Sequence, residues 1–286
     1  MVNLLKGRKP YLIAEIGQNH NGNLDLAKQM VDMAQRCGFH AVKSAKRDIA
    51  INVPKPLYNS IYDSPHSFGK TYGEHREALE FSFDEYREME EYTHQKGLDF
   101  ISSFTDIPSL DFLETIKCDA YKIASSRVTD LKLLRKVSKT GKPVILSTGM
   151  STMGEIEVAV GCLKNRELFI LQCTSSYPCL LENIHLGVLQ TFRKKFKRNV
   201  GFSGHHCNSI LPDLLAVGLG ACIIERHITC DKSLKGSDHK LSLDENDMAM
   251  LVEGIQQVKV IMGKSEKQFL PCEEISRNKL RNLQLK

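Results

Sequence analysis

The stretch from Ala120 to Gly149, AYKIASSRVTDLKLLRKVSKTGKPVILSTG, decides the fold. Residues 120–124 form a short β-rich run, and residues 131–140 space their apolar side chains three and four apart, the period of a helix with one buried face. Gly141 follows, where a glycine can take the left-handed conformation that ends a helix. Residues 144–147 then return to a β-rich run. A strand, a helix and a second strand joined this closely make a parallel crossover unit.

The same unit repeats along the chain in both directions. Residues 11–16, 40–44, 99–103, 120–124, 144–147, 169–173, 200–203 and 221–225 read as eight strands. Amphipathic stretches at 24–37, 83–96, 131–140, 152–164, 184–196, 209–219 and 244–262 read as helices, and Gly38 and Gly97 close two of them as Gly141 closes a third. Eight such units predict an α/β protein with the TIM (β/α)8 barrel fold, and the 286 residues suit it, since roughly 250 is typical. The connection from Ala45 to about Ser82 is long and rich in Pro, Tyr, Asn, Ser and Gly, which marks a functional loop rather than a linker. No repeat or composition break divides the chain. Residues 1–286 therefore read as one catalytic domain, with a polar, basic tail over 264–286 as an outer helix or a disordered end.

Composition narrows the setting. The chain is 42% hydrophobic and 26% charged, as ordinary globular proteins are. Its net charge of +5 suits an anionic small substrate. The run Arg193-Lys194-Lys195-Phe196-Lys197-Arg198 reads as the solvated end of a helix, where cations favour the dipole, rather than as a nucleic-acid patch, for which no aromatic stacking motif is present. Nine cysteines without a C-x-x-C pair exclude a disulfide framework or a structural zinc site, and Cys37, Cys118, Cys162 and Cys222 read as small core hydrophobes. No apolar run has membrane length, so a soluble, cytoplasmic protein is expected.

In this fold chemistry belongs to the C-terminal ends of the strands. Those ends carry Glu15, Lys43, Ser102, Ser103, Lys122, Ser125, Ser147, Thr148, Gln172, Thr174, Ser175, Tyr177, Ser203, His205, Glu225 and His227. Two lysines and a ring of hydroxyls at one mouth suit a phosphate or a phosphorylated carboxylate, because each hydroxyl donates to an anionic oxygen while lysine neutralises it. His205 and His227, at the ends of successive strands, can hold one divalent ion and leave most of its coordination sphere open; the competing reading is a pair of hydrogen-bonded core histidines. Cys173 reads as core, and His206 as pointing away from its neighbour. The loop Lys235-Gly236-Ser237-Asp238-His239-Lys240 brings a carboxylate near the eighth strand, for sugar binding or proton transfer, or forms a solvated turn.

The segments Ile13-Ala14-Glu15-Ile16-Gly17-Gln18-Asn19-His20-Asn21-Gly22, Gly69-Lys70-Thr71-Tyr72-Gly73-Glu74-His75 and Gln172-Cys173-Thr174-Ser175-Ser176-Tyr177-Pro178, with Ser203-Gly204-His205, Glu225-Arg226-His227-Ile228-Thr229 and Gly236-Ser237-Asp238-His239, together resemble the sialic acid (N-acetylneuraminate) synthase family from about residue 10 to 275. The resemblance implies condensation of phosphoenolpyruvate with N-acetylmannosamine or its 6-phosphate. It implies Mn²⁺ or Mg²⁺ on His205 and His227, and a catalytic set of Glu15, Lys43, Lys122 and Asp238. It implies that Ser103, Ser125, Ser147, Ser175 and Ser203 join the two lysines around phosphoenolpyruvate, that Thr174, Tyr177 and Glu225 help bind the substrates, and that the protein is a homodimer.

Three departures from the family pattern stand out. Ser126 and Arg127 occupy the place of a glycine and an acid, so a proton-transfer role is unassigned and Arg127 either meets an anionic group or faces solvent. Lys43-Ser44-Ala45 replaces Lys-Phe-Gln and lacks an amide that could meet the sugar. The expected antifreeze-like C-terminal domain, which lends an arginine to a partner's site, is not read in these 286 residues. These departures keep two alternatives open, a related synthase with a different aldose acceptor and a catalytically weak sugar-binding homologue.

Overall fold

A computed structural model describes residues 4–7 and 10–281. In chain order it contains β1 (Tyr11–Gly17), α1 (Leu24–Arg36), β2 (Ala41–Lys46), the short helices α2 (Ile49–Asn52), α3 (Lys55–Tyr58) and α4 (Tyr72–Ala78), then α5 (Phe83–Gln95), β3 (Asp99–Phe104), α6 (Ile107–Leu113) and β4 (Ala120–Ile123). There follow α7 (Leu131–Val137), β5 (Val144–Ser147), α8 (Met153–Cys162), β6 (Leu168–Cys173), α9 (Val188–Phe196), β7 (Asn199–Gly204), α10 (Leu211–Gly218), β8 (Ile223–His227), α11 (Glu245–Met262) and α12 (Glu274–Arg281). The strands close a barrel in the order β1 to β8, every neighbouring pair parallel. This is the TIM barrel.

Side chains alternate across a strand, so each strand gives one row to the barrel interior and one to the helices. The inner rows are apolar at the bottom and polar at the top. Tyr11 and Ile13 lead up to Glu15 on β1, Phe169 and Leu171 to Cys173 on β6, and Ile223 to Glu225 and His227 on β8. Leu4 and Leu5 enter the same inner cluster and close the barrel floor. The outer rows, including Leu12, Ala14, Ile16 and Ile224, meet the buried faces of the helices, such as Met30, Val31 and Ala34 on α1. Each buried aliphatic side chain stabilises the fold by about 1.5–3 kcal/mol relative to exposure.

Local chemistry sets the helix boundaries. Capping boxes Thr71–Glu74, Ser82–Glu85 and Thr152–Glu155 start α4, α5 and α8, each satisfying two backbone N–H groups that the first turn cannot. Gly38, Gly97 and Gly141 have φ of +77°, +76° and +72°, as their positions after helices predict.

Some boundaries differ from expectation. The second strand runs on to Lys46, and the eighth covers Ile223–His227 instead of 221–225, because pairing of His227 with Glu15 extends the ladder through charged residues that an apolar pattern does not register. The long connection after β2 holds α2, α3 and α4. A helix of seven residues, α6, lies between β3 and β4 where none was named. In the expected tail α12 is an exposed helix, and residues 282–286 lie outside the described residues. Cys118 and Cys222 are buried, but Cys37 and Cys162 are only half-buried, and none of the nine cysteines forms a disulfide. Among the described residues no helix is long and apolar enough to cross a membrane.

Candidate active site

The upper ends of the inner rows surround a cleft of about 500 Å³. Strand register assembles it. Glu15 pairs with Lys43 on one side and His227 on the other, Ser103 pairs with Lys122, and Ser203 pairs with both Cys173 and Glu225. Gly17, at φ +45°, turns the chain out of β1 where a Cβ would sit 2.8 Å from the Glu15 carboxylate.

Four buried charges form its floor. Lys122 Nζ donates to Glu225 Oε1 at 2.6 Å, Ser203 Oγ donates to the same oxygen at 3.0 Å, and Lys43 Nζ lies 3.8 Å from it while contacting Glu15. Burial would raise the pKa of Glu225, but Lys122 and Lys43 hold it down at about 2. Burial raises that of Glu15, aided by Glu225 and opposed by Lys43. The two carboxyl groups are thus driven apart, Glu225 downward and Glu15 upward from the ordinary carboxylate range. Burial lowers Lys122 despite Glu225, whereas for Lys43 the pull of Glu15 and Glu225 overcomes burial and raises it.

Across the cleft from β1 and β2, the ends of β4, β5 and β6 bring Ser125, Ser147 and Ser175 together. Ser125 Oγ accepts from Gly149 N at 2.9 Å. A Cβ at Gly149 would lie 2.2 Å from Ser175 Oγ and 2.9 Å from Ser125 Oγ, so only glycine lets this backbone close against the hydroxyls. Ser147 Oγ and Ser175 Oγ are buried without hydrogen-bond partners. A buried hydroxyl left unsatisfied costs about 1–3 kcal/mol, which an anionic oxygen would recover.

His205 and His227 stand with ring centroids 5.5 Å apart, and the Tyr177 ring packs 4.2 Å from His205. His205 Nδ1 lies 2.9 Å from the Thr174 carbonyl, which can only accept, so Nδ1 carries a proton and Nε2 is the nitrogen left for a ligand. Burial pulls the pKa of His227 down to about 3 against the attraction of Asp238, whose Oδ2 is 3.7 Å away, and its buried Nδ1 has no hydrogen-bond partner. Burial lowers the pKa of His205 as well, but the hydrogen bond and charge of Cys173 outweigh it and raise the value. Two imidazoles facing one cleft fit a divalent ion that displaces any such proton and takes its remaining ligands from water and substrate. Among the described residues no group of three or more His, Cys, Asp or Glu side chains is arranged for a metal.

Comparison with known proteins agrees with this architecture. Residues 30–267 match the model of the NeuB family. The chain is 40% identical to the N-acetylneuraminate-9-phosphate synthase of Homo sapiens over 278 residues, 96% of this chain and 77% of that protein. The chain belongs to the NeuB family. It is also 37% identical to the N,N'-diacetyllegionaminic acid synthase of Legionella pneumophila, over 90% of this chain and 74% of that one. Among solved structures, the N-acetylneuraminic acid (sialic acid) synthetase of Leptospira borgpetersenii in complex with citrate superposes with a TM-score of 0.82 at 31% identity, covering 96% of this chain and 93% of that one.

In this NeuB chain the cleft brings together Glu15, Lys43, Ser103, Lys122, Ser125, Ser147, Ser175, Tyr177, Ser203, His205, Glu225, His227 and Asp238. Four of the strand-end residues stay out of it: Ser102 meets the Tyr86 hydroxyl, Thr148 donates to the Leu171 carbonyl, Gln172 to the Ile184 carbonyl, and Thr174 at the end of β6 to the Asn183 carbonyl at 2.8 Å. Cys173 is not simply core. It shares the inner face with Phe169 and Leu171, lines the cleft, and lies 3.9 Å from His205 Nδ1; period-two counting along β6 identifies it. His206 does point away, toward Arg226 and Asp213. Arg127 neither lines the cleft nor faces open solvent, but donates to Asn52 Oδ1 at 2.9 Å and braces the connection after β2. Gln18 and Arg47 also line the cleft, although neither was read as a site residue: Gln18 follows Gly17 just past β1, and Arg47 follows the two residues by which β2 runs past Ser44. A larger cavity, about 1190 Å³, opens at the opposite end between the basic end of α9 and the bottoms of β6, β7 and β8. It has none of the converging serine hydroxyls, and the chemistry of the mouth places the site there.

Proposed function

We propose that this NeuB-family chain condenses phosphoenolpyruvate with an N-acetylmannosamine-type amino sugar, or its 6-phosphate, to give a nine-carbon sialic-acid-like sugar and inorganic phosphate. The observation that carries the reading is the pair of buried, partnerless hydroxyls of Ser147 and Ser175, set beside Ser125 and facing two buried lysines. That arrangement suits a small molecule with a phosphate at one end and a carboxylate close by.

In this reading the serines receive the phosphate, while Lys43 and Lys122 turn from Glu15 and Glu225 to neutralise the substrate. His205 and His227 would hold Mn²⁺ or Mg²⁺, which when bound polarises the open-chain sugar aldehyde as a Lewis acid. The methylene carbon of phosphoenolpyruvate forms the new bond to the aldehyde carbon, and the aldehyde oxygen takes up a proton. Water adds to the carbon bearing the phosphate, and the bond between that carbon and oxygen breaks as phosphate leaves. Glu15, seated between Lys43 and His227 and lining the cleft, is the group placed to exchange it. Tyr177 covers His205 and limits water there.

The test is phosphate release from phosphoenolpyruvate with a panel of aldoses, with and without Mn²⁺. Release that requires both the amino sugar and the metal is expected. Release independent of sugar, or none with any sugar, would sink the reading.

A further inference from the structure

We infer that Arg47, with Gln18 beside it, recognises an anionic substituent on the acceptor sugar, a phosphate monoester at the end remote from the aldehyde. This rests on the reading of the cleft as a synthase site. Arg47 leaves β2 at the mouth with its side chain only 15% exposed, yet its guanidinium makes one long hydrogen bond, Nη1 to Glu80 Oε2 at 3.5 Å. A guanidinium offers five N–H donors, and covering it without partners is unfavourable. None of its nitrogens is both fully buried and unpaired, so the remaining donors reach open space in the cleft or in the smaller pocket beside Glu80 that the residue also lines.

The nearby carboxylate is already committed. Glu80 Oε1 accepts from Lys46 Nζ at 2.9 Å and from the Arg47 backbone N–H at 3.0 Å. Gln18 is oriented by Arg76, whose Nη1 donates to Gln18 Oε1 at 2.6 Å, and this leaves the amide N–H₂ as the uncommitted end of a side chain that lines the cleft. Arg76 has its own pKa lowered to about 10, by burial first and by the charge of Arg47 second. Two guanidinium groups that repel each other favour an anion beside them.

Phosphoenolpyruvate does not account for this anion site. Its phosphate has the hydroxyl cradle at the ends of β4, β5 and β6, opposite β2 in an eight-strand barrel, and its carboxylate has Lys43 and Lys122 in the buried charge network below Arg47. An anion read from the β1–β2 side therefore belongs to the other substrate. Asp238 also lines the cleft but faces His227, on the eighth-strand side.

The experiment has a binding arm and a turnover arm. Calorimetry on the wild-type chain should show N-acetylmannosamine 6-phosphate binding at least about tenfold tighter than N-acetylmannosamine, the value of one charge-assisted hydrogen bond or more. Arg47→Gln should cut that preference by about 10- to 100-fold. In turnover, the ratio of kcat/KM for the phosphorylated over the unphosphorylated sugar should fall by a similar factor. Equal wild-type affinity for the two sugars would overturn the inference, as would an undiminished preference in Arg47→Gln. A rise in the phosphoenolpyruvate KM with the sugar ratio unchanged would reassign Arg47 to the other substrate and overturn it as well. Absence of turnover with either sugar, alongside the expected binding preference, would count against the synthase reading and leave the anion site standing.

Discussion

Ser147 and Ser175 set stability against function within single residues. Each hydroxyl is buried without a partner in the folded protein, so Ser→Ala at either position removes a desolvation cost and should leave stability unchanged or raise it by up to about 1 kcal/mol. On the proposed reading the same substitution removes a donor to the substrate phosphate and should raise the KM for phosphoenolpyruvate by about tenfold or more. Paired denaturant melts and steady-state kinetics check both signs, and a destabilised variant with normal KM would mean that the hydroxyl serves the fold. On the proposed reading, His205→Ala should abolish metal-dependent phosphate release while the melt stays cooperative, because the imidazole's two contacts, the Thr174 carbonyl at 2.9 Å and the Cys173 thiol at 3.9 Å, both lie at the end of β6 beside the cleft. Turnover that persists with its metal dependence intact would remove His205 from the metal site. Both serines and both histidines were legible in the sequence, since each stands at or just past a strand end. Arg47 and Gln18 were not, because turns beyond the strand bring them to the mouth.

At the scale of elements, β7, β8 and α10 are locked behind the site by a charge network. Arg226 points outward from β8, fully buried, and donates to Asp213 Oδ2 at 2.5 Å, to His206 Nε2 at 2.8 Å and to the His206 carbonyl at 2.7 Å. Asp213→Ala would strand a buried guanidinium and should cost about 3–5 kcal/mol in a urea melt, whereas Arg226→Met with Asp213→Leu should cost less, since it removes both charges. A smaller loss for Asp213→Ala alone would mean that water reaches the pair. A second network ties α5 to the barrel: His94 bonds Glu90 at 2.5 Å and Asp119 at 2.7 Å. Its pKa is raised, chiefly by the hydrogen bond to Asp119, above the ordinary 6.5. The unfolded chain releases this proton first, so the stabilisation is fully present below about pH 6.5 and is lost as pH rises through the higher folded value. Thermal melts from pH 6 to 8.5 should therefore show the wild-type advantage over His94→Gln shrinking as pH rises, and a constant advantage would exclude the protonated bridge. The sequence supplied the period of α5 but not this contact, because Asp119 comes from the far side of β3.

The whole molecule separates function from stability along the barrel axis. Each inner row runs from apolar residues at the floor to polar residues at the mouth, and the alternation of strands and helices made that axis readable before any coordinate. What stayed hidden depends on closure. The charge network of Glu15, Lys43, Lys122 and Glu225 joins β1, β2, β4 and β8, and only the ring brings the first strand beside the eighth. The floor was equally hidden, since Leu4 and Leu5 precede the first strand and belong to no periodic pattern. They are 1% and 5% exposed, packed in the inner cluster with Ile101, Ile145 and Phe169, and Leu4 N donates to Glu167 Oε2 at 3.2 Å. Leu4→Ala should therefore destabilise the protein by about 2–5 kcal/mol, the loss of a buried leucine plus the cavity it leaves. The polar rows stand between this floor and the substrates, so kcat and both KM values should be unchanged at temperatures where the variant stays folded. Urea melts give the first quantity and phosphate-release kinetics the second. A variant whose KM rises along with its instability would show that the floor and the mouth move together, because a barrel that loosened at one end would no longer hold Lys43 and Lys122 in register at the other.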